Sequence, residues 1–149
     1  MSVGSAPPEA VGSSVPRADA PLKVSGELKY TGDLLLPGML HAALLPSPHA
    51  FARILRIDAE KTRACPGVRA VVTGDDLQIL FGLYLGDKPP LARGYVRHFG
   101  EPVVAVVADS ERDARYALSK ISVEYEPLDP VLTPTEALRP GAPVLHPDM

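Results

Sequence analysis

Proline is the residue type that most restricts how this chain can fold. The sequence has 17 prolines among 149 residues, about twice the usual share of roughly 5%. Proline lacks a backbone N–H and has a fixed φ, so helix interiors and central strands exclude it. Many of these prolines lie near the ends, at positions 7, 8, 16, 21, 127, 130, 134, 140, 143 and 147. Two proline-stiffened arms are therefore expected to flank a central folded domain.

The composition predicts a small aliphatic core. Hydrophobic residues make up 46% and charged residues 22% of the chain, which are ordinary values for a soluble globular protein. Trp is absent and aromatic residues reach only 5%. Residues 1–20 are mostly Ser, Pro, Gly and Ala, which cannot repay their ordering entropy by burial. We expect a flexible N-terminal arm over 1–20 and a folded domain from residue 21.

Charge and cysteine content exclude several classes of protein. The net charge of -3 and the pI near 5.8 provide no basic surface for nucleic acid or an anionic membrane. No secretory signal or membrane-length apolar run is present, so a cytoplasmic location is expected. The single cysteine, Cys65, cannot form an internal disulfide or supply the several thiolates of an iron–sulfur or zinc site. A reducing compartment fits this composition.

Short apolar segments between glycine and proline residues predict strands. These segments cover residues 39–45, 54–57, 68–72, 102–108 and 121–125. The run at 102–108 is almost continuously β-branched and predicts a strand buried on both faces. Upstream, residues 22–33 mix alternating apolar positions with Gly26 and Gly32.

Two short helices are predicted between these strands. Asp58 can cap one or two turns that run to Ala64. Asp109 or Ser110 can cap a second helix, with Asp113 three residues after Ser110. The second helix has an apolar stripe at Ala114, Ala117, Leu118 and Ile121. Two strand–helix–strand units follow from this order. The predicted class is α+β, with short mixed sheets.

The chemically active residue types form no self-contained active site. The histidines lack metal-type spacing, and they occupy positions 41, 49, 98 and 146. Ser47 and His49 flank Pro48 in a turn with no Asp to orient the imidazole. Asp75-Asp76 and the Glu124/Glu126 pair suit a helix start and a solvent-facing strand better than paired acids. A low-pKa thiol at Cys65 is an alternative to an inert buried thiol.

Residues 78–94 are predicted to be a long irregular loop. The segment contains Gly82, Gly86, Pro89, Pro90 and Gly94. Irregular stretches of this length are uncommon in compact domains and are more often functional or partner-bound than incidental. We therefore expect this loop to contact a ligand or another domain.

An ordered set of motifs resembles one enzyme family. The motifs are Pro16-Arg17, Lys23-Val24-Ser25-Gly26, Leu36-Pro37-Gly38, Ser47-Pro48-His49-Ala50, Pro66-Gly67-Val68, Thr73-Gly74-Asp75-Asp76, Gly100-Glu101-Pro102-Val103 and Val123-Glu124-Tyr125-Glu126-Pro127-Leu128. In this order they resemble the opening of the large, molybdopterin-binding subunit of xanthine dehydrogenase and aldehyde oxidase enzymes. The resemblance covers nearly all of residues 15–146.

The resemblance implies a fold and a context. It implies an α/β hammerhead domain over 21–128 and a Pro-rich connector over 129–149 that leads to a missing molybdopterin-binding region. Such enzymes are molybdenum hydroxylases, which hydroxylate an aldehyde or N-heterocycle with oxygen from water. Their cofactors are molybdopterin-molybdenum, [2Fe-2S] centres and usually FAD. The expected partners are a molybdopterin-binding chain and iron-sulfur and flavin subunits or domains. The resemblance implies that this chain is either a separately supplied part of the large subunit or a truncated product of it.

The resemblance assigns no catalytic, cofactor-binding or metal-binding residue to this chain, because the family's catalytic glutamate and pterin-binding motifs come later in the large subunit. It implies one candidate site. Leu83, Tyr84 and Leu85 in the long loop would be wall residues of a substrate funnel, or would instead pack under the loop or against the next domain. The alternative function is a stand-alone binding module that reuses the fold without redox chemistry.

Overall fold

The computed structural model describes residues 11–146, so the parts of the two arms at 1–10 and 147–149 lie outside the described residues. The chain divides into two compact units between Gly38 and Met39. In the first unit, helix α1 spans Ala20–Ser25 and a 3-10 turn spans Thr31–Asp33. The alternating apolar positions near Leu22 therefore belong to a helix. Pro21 suits its first turn and Gly26, with φ 76°, ends it in the left-handed conformation.

The described residues of the second unit, 39–146, form six strands and three helices. The strands are β1 (His41–Pro46), β2 (Ala52–Asp58), β3 (Val68–Thr73), β4 (Tyr95–Val96), β5 (Pro102–Ala108) and β6 (Ser122–Pro127). The helices are α2 (Glu60–Arg63), α3 (Glu111–Leu118) and α4 (Pro134–Ala137), and a 3-10 turn covers Gly74–Asp76. The predicted strands are confirmed, with shifts of a few residues at their ends.

The six strands form two three-stranded sheets. The first has the order β1-β5-β3 and the second has the order β4-β2-β6. The predicted α+β class and short sheets are confirmed. The expected mixed pairing is corrected, because every strand pair of the described residues is antiparallel. Each strand–helix–strand unit sends its two strands to different sheets, so neither unit forms a parallel pair.

Helix α3 covers the first sheet. It packs on β1 and β5 through Ala114 and Ala117, which are fully buried. Ser110 accepts a hydrogen bond from the Asp113 N–H at 3.1 Å, which confirms the predicted cap. The predicted cap of α2 is corrected, because the residue before the helix is Ala59 and not Asp58. The Asp58 carboxylate accepts a hydrogen bond from the Glu60 N–H at 3.2 Å.

The core is aliphatic, as the composition predicts. Its main cluster joins Val103 and Val104 of β5 to Ala52 of β2, Val96 of β4 and the neighbouring Ala92. Strand β5 is central in its sheet and buried along most of its length, which explains its continuous run of small and β-branched residues. Within residues 11–146, no helix has the length and apolar character needed to cross a membrane.

Candidate functional site

Within the long loop, one pair of residues forms a backbone bridge. Phe81 and Lys88 form an antiparallel bridge, with N–H to O=C distances of 2.8 and 2.9 Å. Two glycines lie between the bridged residues. Gly82 directly follows Phe81 and has a φ of 145°, and Gly86 lies two positions before Lys88 and has a φ of 61°. Positive φ is readily adopted by glycine, so these residues allow the chain to turn sharply. We call residues 81–88 the hairpin.

The three candidate wall residues form the tip of this hairpin. Leu83, Tyr84 and Leu85 are 88%, 90% and 68% exposed. Their side chains therefore do not pack under the loop, which was one of the two structural alternatives for them. Large apolar side chains grouped in this way mark a surface that contacts another molecule or domain.

Two of the sequence motifs meet beneath the hairpin. The Ser47 N–H donates to the Glu101 carbonyl at 2.8 Å, and the Gly100 N–H donates to the Ser47 carbonyl at 2.9 Å. The Glu101 side chain is 8% exposed and its carboxylate accepts a hydrogen bond from the Arg97 N–H. Backbone pairing thus joins the Ser-Pro-His and Gly-Glu-Pro motifs, which lie more than 50 residues apart in the chain.

A third motif, at residues 123–128, contacts the same region. The His49 and Tyr125 rings meet edge to face, with centroids 4.9 Å apart, and the Leu128 N–H donates to the Phe51 carbonyl at 3.0 Å. Burial raises the pKa of the Tyr125 phenol above its usual value. These motifs therefore hold the domain together rather than present reactive groups.

A cavity of about 170 Å³ lies between the hairpin base and the Gly-Glu-Pro motif. Its walls combine Phe81 and three prolines with charged and imidazole side chains, namely Asp87, Lys88, Arg97, His98, Glu101 and His146. Sequence reasoning missed this convergence. The residues come from three separate segments, and no local pattern indicates that they meet.

The other candidates have structural roles. The Ser47 hydroxyl accepts from the His49 N–H at 3.0 Å and donates to the His49 carbonyl at 3.1 Å, so it stabilises a turn and is not directed to the imidazole. His41 is half-buried at the start of edge strand β1. The half-buried Cys65 thiol donates to the Lys61 carbonyl at 3.3 Å.

The acidic pairs are also accounted for by local contacts. Asp76 accepts hydrogen bonds from the Thr73 N–H at 2.7 Å and from the Thr73 hydroxyl at 2.8 Å. These hydrogen bonds lower the pKa of the Asp76 carboxyl. Glu126 accepts from the Arg53 side chain at 2.6 Å across neighbouring strands. Asp76 and Glu126 therefore have structural partners, a turn and a neighbouring strand respectively.

The described residues do not provide a metal site. Between residues 11 and 146, no group of three or more His, Cys, Asp or Glu side chains is arranged to hold a metal ion. Molybdenum and iron–sulfur centres need such ligand sets or a pterin-binding surface. The ligand groups among the described residues therefore do not fit a molybdenum or iron–sulfur centre.

Comparison with known proteins agrees with this geometry. The family model described as "Aldehyde oxidase and xanthine dehydrogenase, a/b hammerhead domain" matches residues 25–129. A probable xanthine dehydrogenase subunit from Bacillus subtilis is 42% identical over 134 residues, which are 89% of this chain and 18% of the relative. The nicotinate dehydrogenase large molybdopterin subunit of Eubacterium barkeri is 32% identical over 94% of this chain and 33% of its own length.

Solved structures show the same architecture. The CO dehydrogenase of Oligotropha carboxidovorans superposes with a TM-score of 0.84 at 36% identity, over 93% of this chain and 18% of that one. The aldehyde oxidoreductase of Desulfovibrio gigas superposes with a TM-score of 0.80 at 32% identity, over 92% of this chain and 17% of that one.

The two antiparallel sheets, the short helices and the meeting motifs define an α/β hammerhead domain. The chain belongs to the aldehyde oxidase and xanthine dehydrogenase family, and the resemblance seen in the sequence is confirmed. It spans about a fifth of the length of the Bacillus relative and of the two solved chains. The match thus assigns this chain to a structural domain of the family's longer chains.

Proposed function

We propose that this chain is the structural and interface domain of a molybdenum hydroxylase acting on an aldehyde or an N-heterocycle. In that reaction a C–H bond of the substrate is replaced by a C–O bond to a water-derived oxygen. Two electrons and two protons are released, and [2Fe-2S] and FAD partners would accept the electrons. The support is membership of the family together with relatives named as molybdopterin-subunit and CO dehydrogenase chains.

The proposed division of the chain follows the same reasoning. Residues 1–20 form an arm, 21–128 form the hammerhead domain and 129–149 form a connector toward a molybdopterin-binding region. The family match over 25–129 supports the central boundaries. The proline content of the last segment supports the connector, because proline-rich segments act as semi-rigid spacers.

The hairpin tip is the part of the domain that we assign to the substrate path. The observation that carries this assignment is the exposure of Leu83, Tyr84 and Leu85 on a hairpin closed by the Phe81–Lys88 bridge. An apolar wall excludes water and favours the flat apolar body of an aromatic substrate. Tyr84 adds an aromatic face and a hydroxyl group, so it can discriminate between substrates of different shape.

Substitution of Tyr84 tests the wall assignment. In the assembled enzyme, Tyr84→Ala is expected to change the ratio of kcat/KM between a bicyclic and a monocyclic substrate by about fivefold, which corresponds to about 1 kcal/mol of lost aromatic contact. Steady-state kinetics on both substrates provide the measurement. Tyr116→Ala is the matched control, because Tyr116 is also exposed, at 57%, but lies on α3.

Two results would contradict the proposal at different levels. An unchanged kcat/KM ratio in Tyr84→Ala would remove the wall assignment and leave the domain assignment standing. The domain assignment predicts that this chain assembles with a molybdopterin-binding chain. If a tagged form of this chain, coexpressed with a molybdopterin-binding chain, recovered no such chain after purification, the stand-alone binding module would replace it.

A further inference from the structure

The hairpin has few contacts of its own. Only the Phe81–Lys88 backbone pair closes it in the described structure, and its tip side chains are exposed. Loops with little buried surface open locally at low free energy. If the hairpin tip is a wall of the substrate path, its position beside the substrate needs a further restraint. This inference rests on that proposed function.

Asp87 provides one contact to the base of the hairpin. Its side chain is only 17% exposed, and the Oδ2 atom lies 3.5 Å from Nε2 of His146. Its Oδ1 atom faces Gly82, so that a Cβ added to Gly82 would lie 3.4 Å from it. The Asp87 carboxylate therefore links the base of the hairpin to the C-terminal segment (residues 129–146) through His146.

Arg97 provides the second contact to the same segment. Its side-chain Nε donates to the Leu145 carbonyl at 3.0 Å, while its backbone N–H donates to the buried Glu101 carboxylate. Glu101 in turn pairs with Ser47 through the backbone. The C-terminal segment is thereby attached to the core of the domain at Leu145 and to the hairpin at His146.

The space between these contacts is a cavity of about 170 Å³ and not a packed core. The polar contacts, and not close packing, therefore restrain the segment at this point. A close-packed interface would keep the C-terminal segment in place after the loss of one contact. Two separate polar contacts do not, so the loss of either one is expected to loosen the segment.

We propose that Asp87 and Arg97 are positioning residues that use the C-terminal segment to hold the hairpin and its tip in place. We call the contacts of Asp87 and Arg97 with His146 and Leu145 the clamp. The clamp couples the position of Leu83, Tyr84 and Leu85 to the segment that we assign as the connector. Substrate affinity then depends on residues that do not touch substrate.

The test measures hydrogen exchange in the full-length enzyme that contains this domain. Arg97→Ala removes the donor to Leu145, and we expect amide exchange to rise about fivefold in residues 79–88 and 143–146 and to stay unchanged in β5. Arg97→Lys retains a donor and should restore protection in part. Asp87→Asn weakens the other contact and should raise exchange in the same segments. Arg139→Ala, an exposed arginine of the C-terminal segment, is the matched control.

Kinetics separate the clamp from the wall assignment. If both hold, Arg97→Ala raises KM about fivefold and leaves kcat within twofold. Increased exchange with an unchanged KM would support the clamp and remove the wall assignment. If neither Arg97→Ala nor Asp87→Asn increased exchange in the hairpin, the clamp would be overturned whatever the kinetics show.

Discussion

Gly74 shows at the residue scale how closely two backbone segments approach each other. A Cβ placed on Gly74 would lie 2.3 Å from the Ala92 carbonyl oxygen and 2.9 Å from that of Leu91. Leu91 and Ala92 are 4% and 2% exposed, so a shift of this backbone would displace buried groups. Only glycine fits at this position, although its motif, Thr-Gly-Asp-Asp, suggests no more than a turn.

We predict that Gly74→Ala destabilises the domain. The added methyl group forces a shift of buried backbone, and overpacking of this kind costs about 1–3 kcal/mol. For a chain of this length each kcal/mol lowers the Tm by about 2–4 °C. Thermal unfolding followed by circular dichroism measures the effect. Gly32→Ala is the control, since no atom lies within 4 Å of its Cβ position, and an equal loss in both variants would contradict the prediction.

Also at the residue scale, some contacts in this domain follow from a local sequence motif, whereas contacts between distant segments do not. The Asp76 turn cap follows from a local motif, because a carboxylate at this spacing reaches the backbone N–H of a residue three positions earlier. The contact between Asp87 and His146 has no such signal. Side chains from distant segments meet only when the intervening strands are in place.

At the element scale, one ion pair links neighbouring strands of the first sheet. Arg69 of β3 donates from Nε and from a terminal nitrogen to the two carboxylate oxygens of Asp109, at 2.7 and 2.9 Å. Asp109 directly follows β5, the partner strand of β3. The Arg69 hydrogen bond holds the pKa of the Asp109 carboxyl below its usual value. The pair therefore stabilises the folded state only while Asp109 is ionised.

We predict a loss of stability in acid from this pair. Its contribution is fully present above the unfolded pKa of about 3.9 and disappears as pH falls through the lower folded value. Asp109→Asn should therefore be less stable than the wild type at pH 6 and should lose less stability between pH 5 and pH 2. Urea unfolding at several pH values measures this difference. Asp129→Asn removes an exposed carboxylate elsewhere and should keep the wild-type pH dependence.

Elements were easier to predict than their pairing. The strand at 102–108 and the cap at Ser110 follow from local patterns, and both are confirmed. Helix α1 did not follow from its alternating apolar residues, because Pro21 and Gly26 set its conformation. The sheet partition did not follow either. Which strands pair depends on contacts such as β2 with β6, between residues about 70 positions apart in the chain.

At the scale of the whole molecule, the described domain has a patch of exposed apolar side chains in its long loop. Residues 79–81 and 83–85 are all more than half exposed. Such a patch promotes association when no partner covers it. It contributes little to folding, because side chains that stay in water gain no burial energy.

We predict that Leu83→Ser/Leu85→Ser reduces self-association of this 149-residue chain without changing its stability. Light scattering at increasing concentration should fall, and the Tm should stay within about 2 °C of the wild type, since both side chains are exposed. Tyr116→Ser on α3 should have a smaller effect on scattering, because an apolar residue exposed singly forms no patch. Unchanged scattering in the double variant would contradict the role of the tip in contacts.

The sequence by itself determined the aliphatic core, the central β-branched strand and the family, because these depend on composition, local spacing and the order of motifs. Tertiary structure alone decided the antiparallel division into two sheets, the exposure of the hairpin tip and the meeting of Asp87 and Arg97 with the C-terminal segment. The physical reason is distance along the chain. Local patterns encode the conformation of neighbouring residues, whereas contacts between distant segments arise only from the packing of the whole domain.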